Sequence, residues 1–495
     1  MIEALAVQMR IAWARAVGRR PRLADLEATV RLARADCERF GTPGGLQLVS
    51  VFTPAEVRVL QRRALVRTVR NAVTHVPYYR EVWGPEAHRG LTLERFAEFP
   101  LTTKQEFRAN LGRFFNHNCR RFALYQHTSG TTGAPLGLYI SYNELESWPL
   151  TIAVNGLLTG EILPGDIQQV NLSSLAQPDW YVTERGAVLA GAVAVMQGTV
   201  PPQEAIASLM EERCVPGGRR RVNAVVAEVT YMVELARVAR AMGLGRSDFE
   251  VEKVRLGGEP LIPRYQSFIE ETFGARVAAS WGASETIPTM GLRCARGNYH
   301  FDEMSGYLEV VHPDTGKPLE GDATGVLVLT PFYPGREGMP VLRYRTGDMV
   351  TRLRCGCGLP ENIGAFRFLG REAFNYRQGA SCFTQVDFLE ALSQVEGVRL
   401  PVRYWAQAEG DATVVDVQVD EASAELERRL VQTLQGMGLD RVKVRQQTTP
   451  HFRHVPLRWE KRVPPEALEQ PKGNARRGRA APVGREAGAD AGAHG

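Results

Sequence analysis

The sequence predicts an α/β protein in which a large layered domain is followed by a small α+β unit. Two patterns carry that expectation. Between residues 150 and 270, short apolar runs at 188–196 and 224–229 alternate with helical segments such as 231–243, the order of a layered α/β domain. From Gly370 to about residue 470 the pattern shortens: 386–395 reads as a helix, 413–419 as an alternating strand, 422–436 as a helix and 442–445 as a strand.

Ahead of these stands an Ala/Arg/Leu-rich extension, residues 1–52, in which Leu23, Leu26 and Val30 fall three and four apart as on one helix face. The runs 122–125 and 136–140 read as two strands bracketing a loop. Beyond Pro471, residues 471–495 hold too little apolar surface to fold and are expected to be disordered. The expected division is 1–52, 53–369, 370–470 and the tail.

At 495 residues, 44% apolar and 23% charged, the chain has the composition of a globular enzyme. No window approaches eighteen apolar residues, and the amino terminus lacks a signal series, so a cytoplasmic protein with no membrane partner is expected. Seven cysteines, an odd number, argue for thiols or metal ligation over a disulfide framework. The net charge of +5 is scattered over arginines such as Arg219–Arg221, Arg476, Arg477 and Arg479 without interleaved aromatics, so no nucleic-acid partner is expected.

Three motifs carry chemistry. Thr128, Ser129, Gly130, Thr131, Thr132 and Gly133 form a loop whose glycines let amide groups converge and whose hydroxyls ring the concavity, a cradle for phosphate. It lies between strands and lacks Gly-Lys-Ser/Thr, so it is not a Walker loop. Ser280-Trp281-Gly282-Ala283-Ser284-Glu285-Thr286 then offers a carboxylate suited to a magnesium ion on phosphate oxygens. Last, Tyr344-Arg-Thr-Gly-Asp348 places an acid after a turn, suited to the two hydroxyls of a ribose. Each alone is also an ordinary surface turn; the order loop, acid, acid is what points to a nucleotide.

With these motifs the chain resembles the adenylate-forming superfamily of acyl-CoA synthetases and peptide-synthetase adenylation domains, and within it the phenylacetate-CoA ligase branch. Residues 53–83, with Pro77-Tyr78-Tyr79-Arg80, resemble that branch's first helix, Phe99-Pro-Leu-Thr-Thr-Lys104 its Pro-x-Thr-Thr-Lys segment, and Gly257-Gly258-Glu259-Pro260 the loop along the adenine. The resemblance spans residues 53 to about 400. It implies a large adenylate-forming domain with a small mobile domain behind it. A small carboxylic acid, aromatic in the first instance, is activated by ATP as an acyl-adenylate and passed to CoA. By the same resemblance the 128–133 loop holds the β- and γ-phosphates, Glu285 with Thr286 the magnesium, Trp281 and Gly282 the adenine, Asp348 the ribose, Arg371 the ribose or phosphate edge, and Lys461 serves as the small domain's catalytic lysine.

Cys294, His300 and the Cys355-Gly-Cys357 pair supply three thiolates and an imidazole, the donor set of a structural zinc site, and some members of the branch carry a similar set. Unrelated thiols and a surface histidine are the alternative. Three departures stand out: Leu136 where a lysine is common, Glu372-Ala373-Phe374 in place of an acidic hinge, and a loose context for Lys461, with Lys443 next in line. Three readings therefore stay open. These are an acid–CoA ligase, an enzyme passing its acyl group to an amine or carrier-protein thiol, and a non-catalytic nucleotide-binding descendant. The oligomeric state is open, a homodimer included.

Overall fold

The computed structural model describes residues 2–17, 19–40, 54–128, 136–172, 178–214, 218–357 and 364–449. All of them fall in the unit Met1–Trp459. The fold is mixed α/β. Its centre is an eleven-stranded sheet in the order Gly306–Val311, Thr324–Pro331, Tyr344–Leu353, Ala365–Arg371, Tyr299–Phe301, Gly291–Arg293, Arg276–Trp281, Lys253–Gly257, Ala224–Glu228, Ile167–Asn171 and Val193–Met196. The last five pair in parallel and the rest antiparallel.

In the parallel part both faces are covered, as crossover helices require. The pleat sends Val225, Val254 and Val277 to one face, where Tyr231, Leu235 and Phe268 of the helices Val229–Ala241 and Pro263–Phe273 pack on them. Over the other face lie the helices Tyr142–Thr159 and Pro178–Ala190. Ser141 caps the first of these in a capping box with Glu144. Within residues 1–40 lie the helices Ile2–Ala16 and Leu23–Phe40, and Val30, Ala33 and Cys37 of the second pack with Trp148, Ile152 and Leu157. The helix expected near residues 53–83 is two helices, Pro54–His75 and Pro77–Val82.

Several expectations shift in detail. Residues 188–190 close a helix, and only Val193–Met196 is a strand, because Gly191 at φ +90° turns the chain and Val193 N–H then donates to the Asp166 carbonyl. Val229 likewise opens a helix instead of ending a strand. The Tyr344–Asp348 segment is no turn: it lies inside the strand Tyr344–Leu353, with Gly347 at φ +75° and a register break between Met349 and Val350.

Beyond Arg371 the four expected elements are Gln385–Ser393, Ala412–Gln418, Ala424–Gly436 and Val442–Gln447. The strand Tyr404–Glu409 joins Ala412–Gln418 and Val442–Gln447 in a three-stranded sheet. Among the described residues no helix is long and apolar enough to cross a membrane.

Candidate active site

A cleft with about 790 Å³ of empty space opens at the carboxyl ends of the central strands. Gly258, Glu259, Pro260, Trp281, Gly282, Asp348 and Arg371 all line it, so the structure gathers residues spread over more than a hundred positions. Asp348 is 3% exposed, and both its oxygens are held: Trp281 Nε1 donates to Oδ2 at 3.2 Å and Arg371 Nε lies 3.1 Å from Oδ1. A carboxylate accepts about four hydrogen bonds, so lone pairs remain for a ligand. Burial pushes the Asp348 pKa above the ordinary aspartate value, and Arg371 opposes it without cancelling it.

Arg371 is itself fixed. Its Nη1 donates to the Thr346 carbonyl at 2.9 Å, and its amide donates to Gln385 Oε1 at 3.0 Å. Gly370, at φ +101°, has no room for a side chain: an added Cβ would stand 2.5 Å from Gln385 Cβ. Trp281 packs edge-on to Phe301, centroids 5.3 Å apart. Glu259 turns toward the helix start, accepting from Thr230 N at 2.8 Å and Thr230 Oγ1 at 2.7 Å.

Glu285, 5% exposed, sits beside this cleft, accepting from Tyr344 Oη at 3.0 Å, with Lys104 Nζ at 3.4 Å. Burial alone would raise its pKa; Lys104, with the backbone, Tyr344 and Arg371 in support, outweighs burial and holds it below the usual glutamate value. Thr286 is fully buried, its hydroxyl donating to the Ala283 carbonyl at 3.1 Å. Thr128 closes the base of the phosphate loop: its amide donates to the Leu136 carbonyl at 2.9 Å and its Oγ1 accepts from Leu136 N at 3.0 Å. Ser129, Gly130, Thr131, Thr132, Gly133 and Lys461 lie outside the described residues, as does the 471–495 tail.

Lys104 is the site residue that sequence reasoning missed. Its Nζ donates to Thr128 Oγ1 at 3.3 Å, so one ammonium joins the phosphate loop's first hydroxyl to Glu285. The fold puts it there by laying Thr102 beside Tyr344: Thr102 N donates to the Arg343 carbonyl at 2.9 Å, and Arg345 N to the Thr102 carbonyl at 2.9 Å. Thr103 then starts the helix Lys104–Ala109 through a capping box with Glu106. The box, Thr-x-x-Glu, was the available signal for the helix start, although not for the lysine's partners.

The cysteine cluster forms at some remove from these groups. A hairpin between Gly291–Arg293 and Tyr299–Phe301 brings Cys294 to His300, and Cys355 and Cys357 follow the strand Tyr344–Leu353. Cys294 Sγ is 3.8 Å from Cys355 Sγ, and Cys357 Sγ is 3.4 Å from His300 Nε2. All four donor atoms lie within 4.8 Å of one another. Burial is the largest single influence on Cys355 and raises its pKa, but hydrogen bonds with Asn298, Cys357 and Cys294 together outweigh it and bring the thiol's pKa below its ordinary value.

No protein-family model matches the chain. The phenylacetate-coenzyme A ligase of Thermus thermophilus is 30% identical over 316 residues, 61% of this chain and 68% of that protein. The phenylacetate-coenzyme A ligase of Escherichia coli is 26% identical over 317 residues, again 61% and 68%. Among solved structures, 2-hydroxyisobutyryl-CoA ligase in complex with 2-HIB-AMP superposes with a TM-score of 0.68 at 20% identity, over 80% of this chain and 87% of that one. ATP-bound MatB from Rhodopseudomonas palustris gives 0.51 at 14% identity, over 87% and 90%. The structural likeness speaks for the fold, and the sequence likeness, with Gly258, Trp281, Asp348 and Arg371 gathered at one cleft, for the family. The chain belongs to the phenylacetate-coenzyme A ligase family of adenylate-forming enzymes.

Proposed function

We propose that the chain joins a small carboxylic acid, aromatic in the first instance, to coenzyme A using ATP. An oxygen of the acid attacks the α-phosphorus, the bond to the bridging oxygen breaks, and pyrophosphate leaves. The CoA thiol then attacks the acyl carbon, AMP leaves, and the thiol proton passes to solvent. The observation that carries this is the buried Asp348, gripped by Trp281 and Arg371 in a cleft that also contains Gly258, Glu259 and Pro260.

In this reading Asp348 accepts both ribose hydroxyls with its remaining lone pairs, and the 258–260 loop flanks the adenine. Trp281 serves twice, its ring face toward the base and its N–H fixing Asp348. Lys104 stands by the phosphate loop as the cation that Leu136 does not supply, and an ammonium fixed there stabilises charge that develops as pyrophosphate departs. Glu285, kept ionised by its neighbours, is the ligand for a magnesium ion, which when bound would neutralise phosphate charge. Residues 370–470 act as the mobile small domain, Glu372, Ala373 and Phe374 as its hinge, and Lys461 as its lysine.

We assign the Cys294, His300, Cys355 and Cys357 cluster to structural zinc. Sulfurs about 2.3 Å from a tetrahedral zinc stand about 3.8 Å from each other, which is the Cys294–Cys355 separation. Such an ion would tie the 291–301 hairpin to the chain after Leu353, away from the chemistry. The proposed setting is the cytoplasm, where ATP and CoA are available.

The test is pyrophosphate release with ATP and a panel of aromatic acids, followed by addition of CoA, then of amines. Acid-dependent release with thioester formed only on adding CoA is the expected result. Product with amines and none with CoA would move the chain to an amide-forming role.

A further inference from the structure

We propose that the acid this enzyme activates carries a hydroxyl group at the end remote from its carboxylate, held between Arg255 and Glu161. The inference rests on the ligase reading above and narrows its substrate.

A second cavity, with about 1130 Å³ of empty space, opens off the nucleotide cleft: Gly258, Ser280 and Gly282 line both. An acyl group joined to AMP in the first cleft therefore points into the second. Its walls are mostly apolar, from Trp148, Ile152, Val182, Ile287, Met290 and Leu292, with Thr151, Asn155 and Thr183 as uncharged polar groups among them. Ionic groups line it as well. The strand Lys253–Gly257 runs along the pocket with Gly257 at the mouth, and Arg255, two residues back, shares that face by the period of two, about 7 Å deeper at roughly 3.3 Å per residue. Glu161, just past the helix Tyr142–Thr159, lines the same cavity.

Among the described residues, neither Arg255 nor Glu161 makes a hydrogen bond or an ion pair within 4.0 Å, yet the Glu161 carboxylate acts on Arg255. Burial lowers the Arg255 pKa and Glu161 raises it back in part. A guanidinium and a carboxylate thus line one cavity as an open donor and an open acceptor. A plain hydrocarbon end would strip both of water and satisfy neither. A negatively charged end would meet Glu161, with Asp179 and Glu228 further along the lining, and a positively charged end would meet Arg255. A neutral hydroxyl fits both, donating its proton to Glu161 and accepting from Arg255.

The experiment compares kcat/KM for acid-dependent pyrophosphate release with phenylacetate, 3- and 4-hydroxyphenylacetate, 4-carboxyphenylacetate and 4-(aminomethyl)phenylacetate. A site built to bond a hydroxyl rejects the analogue lacking it, so a hydroxylated acid should exceed phenylacetate by about 10²-fold or more. Arg255→Met should bring that ratio near one, chiefly through KM for the hydroxylated acid, and Arg255→Lys should recover part of it. Phenylacetate or a charged analogue preferred by the wild type overturns the proposal, as does an Arg255→Met protein that weakens all acids alike. If Arg255→Met does not fold, the wild-type ratio decides alone. If no acid releases pyrophosphate, the ligase reading falls separately; calorimetric titration of wild type with hydroxylated and plain phenylacetate still decides, equal binding or none overturning the proposal.

Discussion

Asp348 combines burial with two fixed partners, which makes it costly to replace and sensitive to acid. Its charge-assisted bonds to a ribose are worth roughly 1.5 to 3 kcal/mol each, so Asp348→Ala should weaken ATP binding by about tenfold or more, read by calorimetry. Because burial raises its pKa, Asp348 takes up a proton at a pH where an ordinary aspartate is still charged. Protonation removes an acceptor, so ATP affinity should fall as pH is lowered, beginning above the range in which an ordinary aspartate titrates, with a flatter profile in Asp348→Asn. Equal profiles would refute this. Lys104→Met should slow adenylation by about 10²-fold, as for losing a positioned charge, while a pre-formed acyl-adenylate still passes to CoA; unchanged pyrophosphate release would remove Lys104 from the site. Asp348, Glu285 and Trp281 were legible because each sits in a short motif. Lys104 was not, since its place depends on segments 240 residues apart, linked by Thr102 Oγ1 donating to the Leu342 carbonyl. Arg255 gave no signal, because a basic residue alternating with Val254 and Leu256 reads as the solvent side of a strand.

At the scale of elements, legibility followed one-sided burial. Ala424–Gly436 buries only Leu426, Leu430 and Leu434, a plain helical stripe that the sequence declares. Thr324–Pro331 is buried at seven of its eight positions, which erases alternation, and that strand went unread. The Tyr344–Leu353 strand was hidden differently: Gly347 resembles a turn signal, but here it bends a strand so that Asp348 reaches the cleft. The cysteine cluster likewise joins a hairpin to a strand end. Replacing Cys355 and Cys357 together by serine should lose about one zinc per chain and lower Tm, with substrate preference unchanged. A wild-type protein without zinc by elemental analysis would contradict the assignment.

For the whole molecule, the layered α/β domain was predictable from alternation and the family from three motifs, whereas the meeting of Trp281 and Asp348 at one cleft required the fold. In the proposed reaction the small domain's part falls to Lys461, which lies outside the described residues. Lys461→Ala should suppress acid-dependent pyrophosphate exchange by about 10²-fold and spare transfer from pre-formed acyl-adenylate to CoA; survival of both steps would assign it to the surface and direct attention to Lys443. The central claim is that this cleft makes an acyl-adenylate, and oxygen labelling reads it most directly. With both carboxylate oxygens of the acid as ¹⁸O, one labelled oxygen should appear in AMP for each thioester formed, because the attacking oxygen stays on the α-phosphorus when CoA displaces AMP. Label in pyrophosphate or inorganic phosphate, with none in AMP, would contradict the account.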